Sequence, residues 1–171
     1  LSDAADFAAD FGERDRAVRY REAADLMRDA LRKHLWNETE QRFARCATPE
    51  KHGYRLDMTH DSANFALWAT GALPVDDPQV ISDMKAVHDR LWCRTPVGGC
   101  ARYENDYYHQ IETTNVSAIP GNPWIICTLW MAQWKIASAQ DAAALASAAE
   151  LLEWVAQRAL PSGVLAEQLN P

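Results

Sequence analysis

Apolar side chains recur at three- and four-residue steps through most of the sequence, and this helical periodicity constrains the fold more than any other feature. It predicts six helices, over residues 2–11, 15–35, 61–71, 77–91, from 122 onward and 141–160. Asp61 and Asp77 are residue types that favour helix N-caps, and Asn122-Pro123 offers the same chemistry to the fifth helix. No segment requires a β-strand, although residues 42–45 could form a short extended piece. The sequence therefore predicts an all-α fold.

The apolar positions also predict which helix faces are buried. The second helix has its stripe at Val18, Ala23, Leu26, Ala30 and Leu31. The fourth helix has its stripe at Val80, Met84, Val87 and Leu91, and the sixth at Leu145, Ala149, Leu152 and Val155. The fifth helix is apolar nearly all round over residues 124–131, so we expect other helices to enclose it.

Short and long connections alternate along the chain. The predicted long ones cover residues 36–60, 93–121 and everything after 160, whereas the other connections are tight turns. Because helices joined by tight turns run antiparallel, all the long loops should gather at one end of the bundle, where we expect the functional site. Repeated helical hairpins fit a toroid of inner and outer helices. Three hairpins do not close such a ring, so we expect residues 1–171 to be an incomplete domain that lacks an N-terminal part and final helices.

Composition excludes several classes of function. Seventeen Lys and Arg against 24 Asp and Glu give a formal charge of −7, which argues against a nucleic-acid partner. A 48% hydrophobic and 24% charged composition is typical of a globular chain. No apolar run reaches the roughly 18 residues of a membrane span, and no signal peptide is visible. We therefore expect neither a nucleic-acid nor a membrane partner.

Cysteine usage points to neither a disulfide framework nor a metal site. No C-x-x-C or H-E-x-x-H pattern occurs, so the sequence predicts no metal and no other cofactor. We interpret all four cysteines as buried thiols, with pairing between Cys93 and Cys100 as the alternative. Free thiols weakly favour the cytoplasm, but the sequence leaves the compartment open.

Two of the long loops carry the residues that suggest chemistry. The 93–121 loop is dense in charged and aromatic side chains, and it leads into Gly121-Asn122-Pro123-Trp124. The final loop presents Glu167 and Gln168. Aromatic rings cover the faces of a pyranose, guanidinium groups bind its hydroxyls, and a carboxylate can activate water against the anomeric carbon. These residue types together favour a sugar site.

Three ordered blocks resemble the catalytic domain of family 15 glycoside hydrolases, which are glucoamylases, glucodextranases and related bacterial trehalases. The blocks are Ala101-Arg102-Tyr103-Glu104-Asn105-Asp106-x-Tyr108, then Gly121-Asn122-Pro123-Trp124 leading into Thr128-Leu129-Trp130, then Gly163-Val164-Leu165-Ala166-Glu167-Gln168. Their order and approximate spacing match, and residues 67–74 with the following Asp76-Asp77-Pro78 look like the bacterial members. The resemblance covers nearly the whole chain.

The resemblance implies part of an (α/α)6 barrel and inverting hydrolysis of an α-glucan or an α-linked glucose disaccharide. Glu167 stands at the family's general base, and Arg102 matches an arginine that holds the hydroxyls of the glucosyl unit in the first subsite. Tyr103, Asp106 and Trp124 match the shell around that subsite. The family's general acid lies on an upstream Trp-Glu-Glu segment that does not occur here. We therefore expect the remainder of the catalytic domain to supply the acid, and the isolated residues 1–171 to be nearly inactive.

Other interpretations remain open at this point. A trehalase would share the fold and the base, and a non-catalytic helical interaction module would share the fold alone. Arg102 could form a surface ion pair with Glu104 or Asp106, which would contribute little energy. Trp124 could serve only core packing, and Glu167 could be a solvated loop carboxylate.

Overall fold

The computed structural model describes residues 1–111 and 118–171. Its helices are α1 (Ser2–Asp10), α2 (Arg14–Leu35), α3 (Ala66–Ala69), α4 (Pro78–Leu91), α5 (Ile125–Ser138) and α6 (Ala142–Ala156). A 3-10 turn over Ser62–Phe65 leads directly into α3. Helix α1 packs against α2, α5 packs against α6, and the 3-10 turn contacts both α4 and α5. The helical prediction is thus confirmed for the major elements.

Two of the three predicted helix caps are present, at Asp61 and Asp77, and Asp141 caps α6 although the sequence analysis named it only as the start of that helix. The carboxylates of Asp61, Asp77 and Asp141 each accept a hydrogen bond from a backbone N–H in the first turn. The prediction of an Asn122 cap is wrong, because α5 begins at Ile125 and Trp124 at its N-cap provides no side-chain bond. The Asn122 amide instead donates to the His109 carbonyl and to Gln168 Oε1, so it joins two loops.

Four short strands correct the all-α prediction. Strands β1 (Trp36–Asn37) and β2 (Arg42–Phe43) form one antiparallel pair, and β3 (Cys46–Glu50) and β4 (Gly53–Asp57) form another. The extended piece expected at 42–45 is present as β2. The β3–β4 hairpin was missed because its strands are mostly exposed and carry no run of apolar residues that alternates clearly with polar ones.

The core lies between α4, α5 and the loops around them. The predicted stripe of α4 is buried completely, with Val80, Met84, Val87 and Leu91 at most 1% exposed. Phe43 of β2 and Met131 of α5 belong to the same cluster. This core anchors the segments on either side of the 93–121 loop, because Cys93, Cys100 and Ala101 are themselves fully buried.

Two predicted buried stripes are wrong. No residue of α2 is buried, and Leu26 is 71% exposed, since nothing in the described part of the chain covers that face. Helix α6 buries Ala148, Leu151 and Val155, whereas Leu145 and Leu152 are exposed. The prediction also fails in part for α5, where Ile126 and Ile136 are nearly half exposed.

The cysteine prediction holds for three of the four thiols. Cys93, Cys100 and Cys127 are buried, but Cys46 on β3 is exposed. All four are free, so the alternative pairing of Cys93 with Cys100 is absent. Burial raises the pKa of Cys93 to about 12, so this thiol is unreactive at neutral pH.

The long loops do meet, as the alternation of connections predicts. Asp61 bridges to Tyr103 and Asp106 bridges to Gly121, while Trp124 bridges to Gln168 in the final segment. Residues 112–117 of the predicted 93–121 loop lie outside the described residues. Segments from all three long loops therefore surround the starts of the 3-10 turn and of α5.

Candidate active site

Arg102 and Asp106 form a two-pronged ion pair at the centre of this loop cluster. Arg102 Nε donates to Asp106 Oδ2 at 2.8 Å, and Nη2 donates to Oδ1 at 2.9 Å. Asp106 is 1% exposed, so the surface ion pair considered for Arg102 is not what the structure contains. The hydrogen bonds from this pairing raise the pKa of Arg102, which is therefore permanently cationic.

Aromatic rings surround the Arg102 guanidinium. Its central carbon lies 4.4 Å from the ring centre of Trp124, 4.9 Å from that of Tyr103 and 5.3 Å from that of Tyr108. These distances allow cation–π attraction with each ring. The guanidinium is thereby held by a carboxylate and by rings, with a third of the side chain still exposed.

A cavity of about 410 Å³ opens beside this group. Its walls are formed by Arg45, Asp61, Ser62, Ala63, Arg102, Tyr103, Trp124, Ile126, Cys127 and Trp130. Arg102, Tyr103 and Trp124 thus line one cavity, as the sequence suggests. Asp106 does not line it and is buried behind Arg102, where it can orient the guanidinium but cannot reach a ligand directly.

Trp124 combines two roles that the sequence analysis treated as alternatives, core packing and a place in the wall of the cavity. Trp124 is 6% exposed and belongs to the core cluster, yet it also forms part of the cavity wall. Trp130 lines the cavity as well and stacks on Phe65 with ring centres 5.3 Å apart. An apolar ring wall of this kind suits the flat face of a sugar ring.

Arg45 and Asp61 are site residues that the sequence analysis missed. Arg45 Nε pairs with Asp61 Oδ2 at 2.9 Å, and the Arg45 guanidinium lies 4.4 Å from the ring centre of Tyr103. Asp61 was recognised only as a helix cap. The one signal for Arg45 is its position at the end of the predicted extended piece, and that signal says nothing about function.

Glu104 ties together the segments that carry the site. Its carboxylate accepts from His60 Nδ1 at 2.9 Å and from Arg90 Nε at 2.6 Å, and its backbone N–H donates to the His60 carbonyl. Burial alone would raise the pKa of Glu104, but the hydrogen bonds from His60 and Arg90 outweigh it and hold the pKa below its usual value. Glu104 therefore fixes Arg102 and Tyr103 against the segment that leads into Asp61.

Glu167 belongs to the final segment, where it is exposed and lies beside the first residue of α5. Its backbone carbonyl accepts from Ile125 N at 3.2 Å, and Leu169 N donates to the Pro123 carbonyl. This pairing brings the backbone of Glu167 to within one residue of Trp124 in the cavity wall. The Glu167 side chain itself is not part of the cavity lining.

No group of three or more His, Cys, Asp or Glu side chains in residues 1–111 and 118–171 is arranged to hold a metal ion. Within those same ranges, no helix is long and apolar enough to cross a membrane.

Comparison with known proteins gives the family and the fold of the chain. The sequence profile of the glycosyl hydrolases family 15 matches residues 1–168. An uncharacterized glycosyl hydrolase of Methanocaldococcus jannaschii is 29% identical over 120 residues, which are 70% of this chain and 17% of that protein. A bacterial glucoamylase, solved in complex with acarbose, superposes with a TM-score of 0.76 at 20% identity over 99% of this chain and 27% of its own.

The chain belongs to the glycosyl hydrolases family 15. The likeness to the glucoamylase shows a shared fold over almost every residue of this chain. The chain spans well under a third of the length of either protein.

Proposed function

We propose that the protein hydrolyses α-glucosidic bonds with inversion and releases glucose from oligosaccharides or polysaccharides. The observation that carries this proposal is the cavity in which Arg102 and Trp124 stand side by side. Arg102 presents a cation beside an apolar ring, which is the combination that binds the hydroxyls and the face of one pyranose. Membership of family 15 supports the same reaction class.

Arg102 would bind the glucosyl unit and Asp106 would orient it. The carboxylate of Asp106 engages the Nε hydrogen and one Nη2 hydrogen of Arg102, so the two Nη1 hydrogens and the second Nη2 hydrogen are the donors left for sugar hydroxyls. Tyr103 and Trp124 would complete the shell of this subsite. The aromatic rings also exclude water, which strengthens each hydrogen bond made inside the cavity.

Glu167 would act as the general base. It would take a proton from a water molecule as that water attacks the anomeric carbon, while an acid outside residues 1–171 protonates the departing oxygen. In an inverting pair the two carboxyl groups lie about 6.5–9.5 Å apart, which leaves room for the water. The exposure of Glu167 is compatible with this role, since its side chain is free to face a cleft built with further residues.

The same proposal extends to the domain. We propose that residues 1–171 form about three hairpins of an (α/α)6 barrel whose other helices lie outside them. The chain spans only part of the length of its relatives, which supports the proposal. The exposed apolar faces of α1 and α2 support it as well. Residues 1–171 alone would then lack the acid and be nearly inactive.

The test uses the protein expressed from its complete reading frame. Purified protein is supplied with maltose, isomaltose and trehalose, and proton NMR follows the anomer of glucose at early times. Net inversion releases β-glucose from an α-linked substrate. The departing glucose keeps its own configuration, so trehalose also releases one α-glucose and the reducing unit of maltose or isomaltose contributes its own anomeric mixture. Turnover of trehalose alone would assign a trehalase, whereas early release of the attacked unit as α-glucose, with no excess of β-glucose, would contradict inversion. No turnover of any α-glucoside would favour a non-catalytic helical module.

A further inference from the structure

A second arginine stands in the cavity wall. Arg45 directly precedes β3, and its backbone N–H donates to the Asp57 carbonyl at 2.8 Å. The base of the β3–β4 hairpin therefore fixes the backbone of Arg45. Its guanidinium lies over the ring of Tyr103, the same ring that the Arg102 guanidinium approaches.

Asp61 holds the Arg45 side chain in place. Oδ2 of Asp61 forms an ion pair with Arg45 Nε at 2.9 Å, and Oδ1 accepts from the Ala63 N–H at 2.9 Å. Asp61 is 7% exposed, and its backbone bridges to Tyr103. The carboxylate is therefore anchored at both oxygens and by its own backbone, so it can orient Arg45 with little freedom.

The rest of the Arg45 guanidinium is available for a ligand. An arginine carries five N–H donors. Arg45 contacts Asp61 through Nε, and no acceptor among residues 1–111 and 118–171 engages its Nη groups. The side chain is 37% exposed and lines the cavity.

We propose that Arg45 is a substrate-binding residue that donates from its Nη groups to hydroxyl oxygens of the sugar in the cavity, with Asp61 as its positioning residue. This inference rests on the proposed glycosidase function. Two guanidinium groups beside one tyrosine present planar donor edges to neighbouring hydroxyls, a geometry that a lysine does not reproduce. Arg45 therefore contributes to binding, while the proton transfers belong to other groups.

The experiment compares Arg45→Met with Arg55→Met in the protein from its complete reading frame. Arg55 lies on β4, makes an exposed ion pair with Glu50 and does not line the cavity, so its variant is the matched control. Steady-state kinetics on maltose give kcat and KM. Quenching of tryptophan fluorescence by acarbose gives binding without turnover, because Trp124 and Trp130 line the cavity.

Arg45→Met should weaken acarbose binding and raise KM by roughly 10- to 100-fold, with a smaller change in kcat. This range is expected when hydrogen bonds from a charged donor are lost. Arg55→Met should match the wild type. If Arg45→Met lowers the melting temperature, Arg45→Lys carries the test: it keeps the charge beside Asp61 and should still bind several-fold more weakly.

The outcomes separate the two proposals. A wild-type protein that binds and hydrolyses, with both Arg45 variants equal to Arg55→Met, would refute the role of Arg45 and leave the glycosidase function standing. A wild-type protein that neither binds acarbose nor hydrolyses any α-glucoside would refute the proposed function itself.

Discussion

In both aspartates of the cavity region, each carboxylate oxygen contacts an arginine or a backbone N–H. Oδ1 of Asp61 accepts from Ala63 N, and Oδ2 forms an ion pair with Arg45 Nε. Asp106 accepts both prongs of Arg102 and also the Tyr108 N–H at 3.1 Å. Both aspartates therefore serve the proposed site by orienting arginines, and the proposed proton transfer stays with Glu167.

Removing the Asp106 carboxylate should cost stability as well as binding. Asp106→Ala leaves the part-buried Arg102 guanidinium without its acceptor, so we expect the free energy of unfolding to fall by about 1–3 kcal/mol. Urea denaturation monitored by circular dichroism measures the change. Glu50→Gln removes an exposed ion pair with Arg55 and should change stability by less than about 1 kcal/mol. Equal effects of the two variants would contradict the structural role of the Arg102–Asp106 pair.

Asp83 makes stability depend on pH. Burial raises its pKa to about 6, although the Phe43 N–H and the Asn64 amide donate to it. Because the folded state then holds the Asp83 proton more tightly than the unfolded state, this contribution to stability is complete below about pH 4 and is lost as pH rises to about 6.

Asp83→Asn should remove that loss. Relative to the variant, the wild type should lose up to about 3 kcal/mol of stability between pH 4 and pH 6. Urea denaturation of both proteins across this pH range gives the difference in stability directly, because the contributions of groups that titrate equally in the two proteins cancel. Parallel pH profiles would show that Asp83 is charged at pH 4 and above in the folded protein.

At the scale of the elements, the sequence predicted what depends on local spacing and caps. The α4 stripe and the caps at Asp61 and Asp77 follow from residues a few positions apart, and the structure contains them. The cavity depends on contacts between distant segments, such as Arg45 with Asp61 and Tyr103, which periodicity cannot show. The composition of the 93–121 loop pointed to the segment that carries Arg102 and leads into Trp124, and the resemblance to family 15 then singled out these two residues.

The packing of α6 against the site loop gives a test at this scale. Gly99 has φ +91°, and a Cβ there would lie 2.5 Å from Trp154 and 2.8 Å from Pro123. Gly12 also has a positive φ, +76°, but nothing lies within 4 Å of the point that a Cβ would occupy there. Both alanine variants incur the left-handed backbone cost of roughly 1–2 kcal/mol, and Gly99→Ala should lose about 1–3 kcal/mol more through overpacking.

Thermal and urea denaturation of Gly99→Ala and Gly12→Ala measure that difference. The backbone cost is common to both variants, so the excess at Gly99 reports on the contact between Trp154, Pro123 and the loop that leads to Arg102. Equal stability of the two variants would show that α6 does not pack closely on this loop.

At the scale of the whole molecule, apolar side chains remain exposed along α1 and α2. Phe7, Phe11, Leu26 and Met27 are each at least 60% exposed, and none of the described residues covers them. Contiguous exposed apolar surface usually marks an interface. This agrees with the proposal that further helices of the same barrel pack on these faces.

Leu26→Ser tests that proposal in the protein expressed from its complete reading frame. If other helices bury Leu26, the variant should lose about 2–4 kcal/mol of stability, as a buried leucine would. Leu160→Ser, at a 59% exposed position after α6, is the control and should be close to neutral. A neutral Leu26→Ser would contradict burial of the α2 face.

The most direct test of the account is the rate of glucose release by Glu167→Gln. In the protein expressed from its complete reading frame, the change should lower kcat on the preferred α-glucoside by roughly 10²- to 10⁴-fold, because the general base is lost, while acarbose still binds. Glu150→Gln, at an exposed position on α6, should keep the wild-type rate. A Glu167→Gln variant as active as the wild type would contradict the assignment of the base and the mechanism built on it.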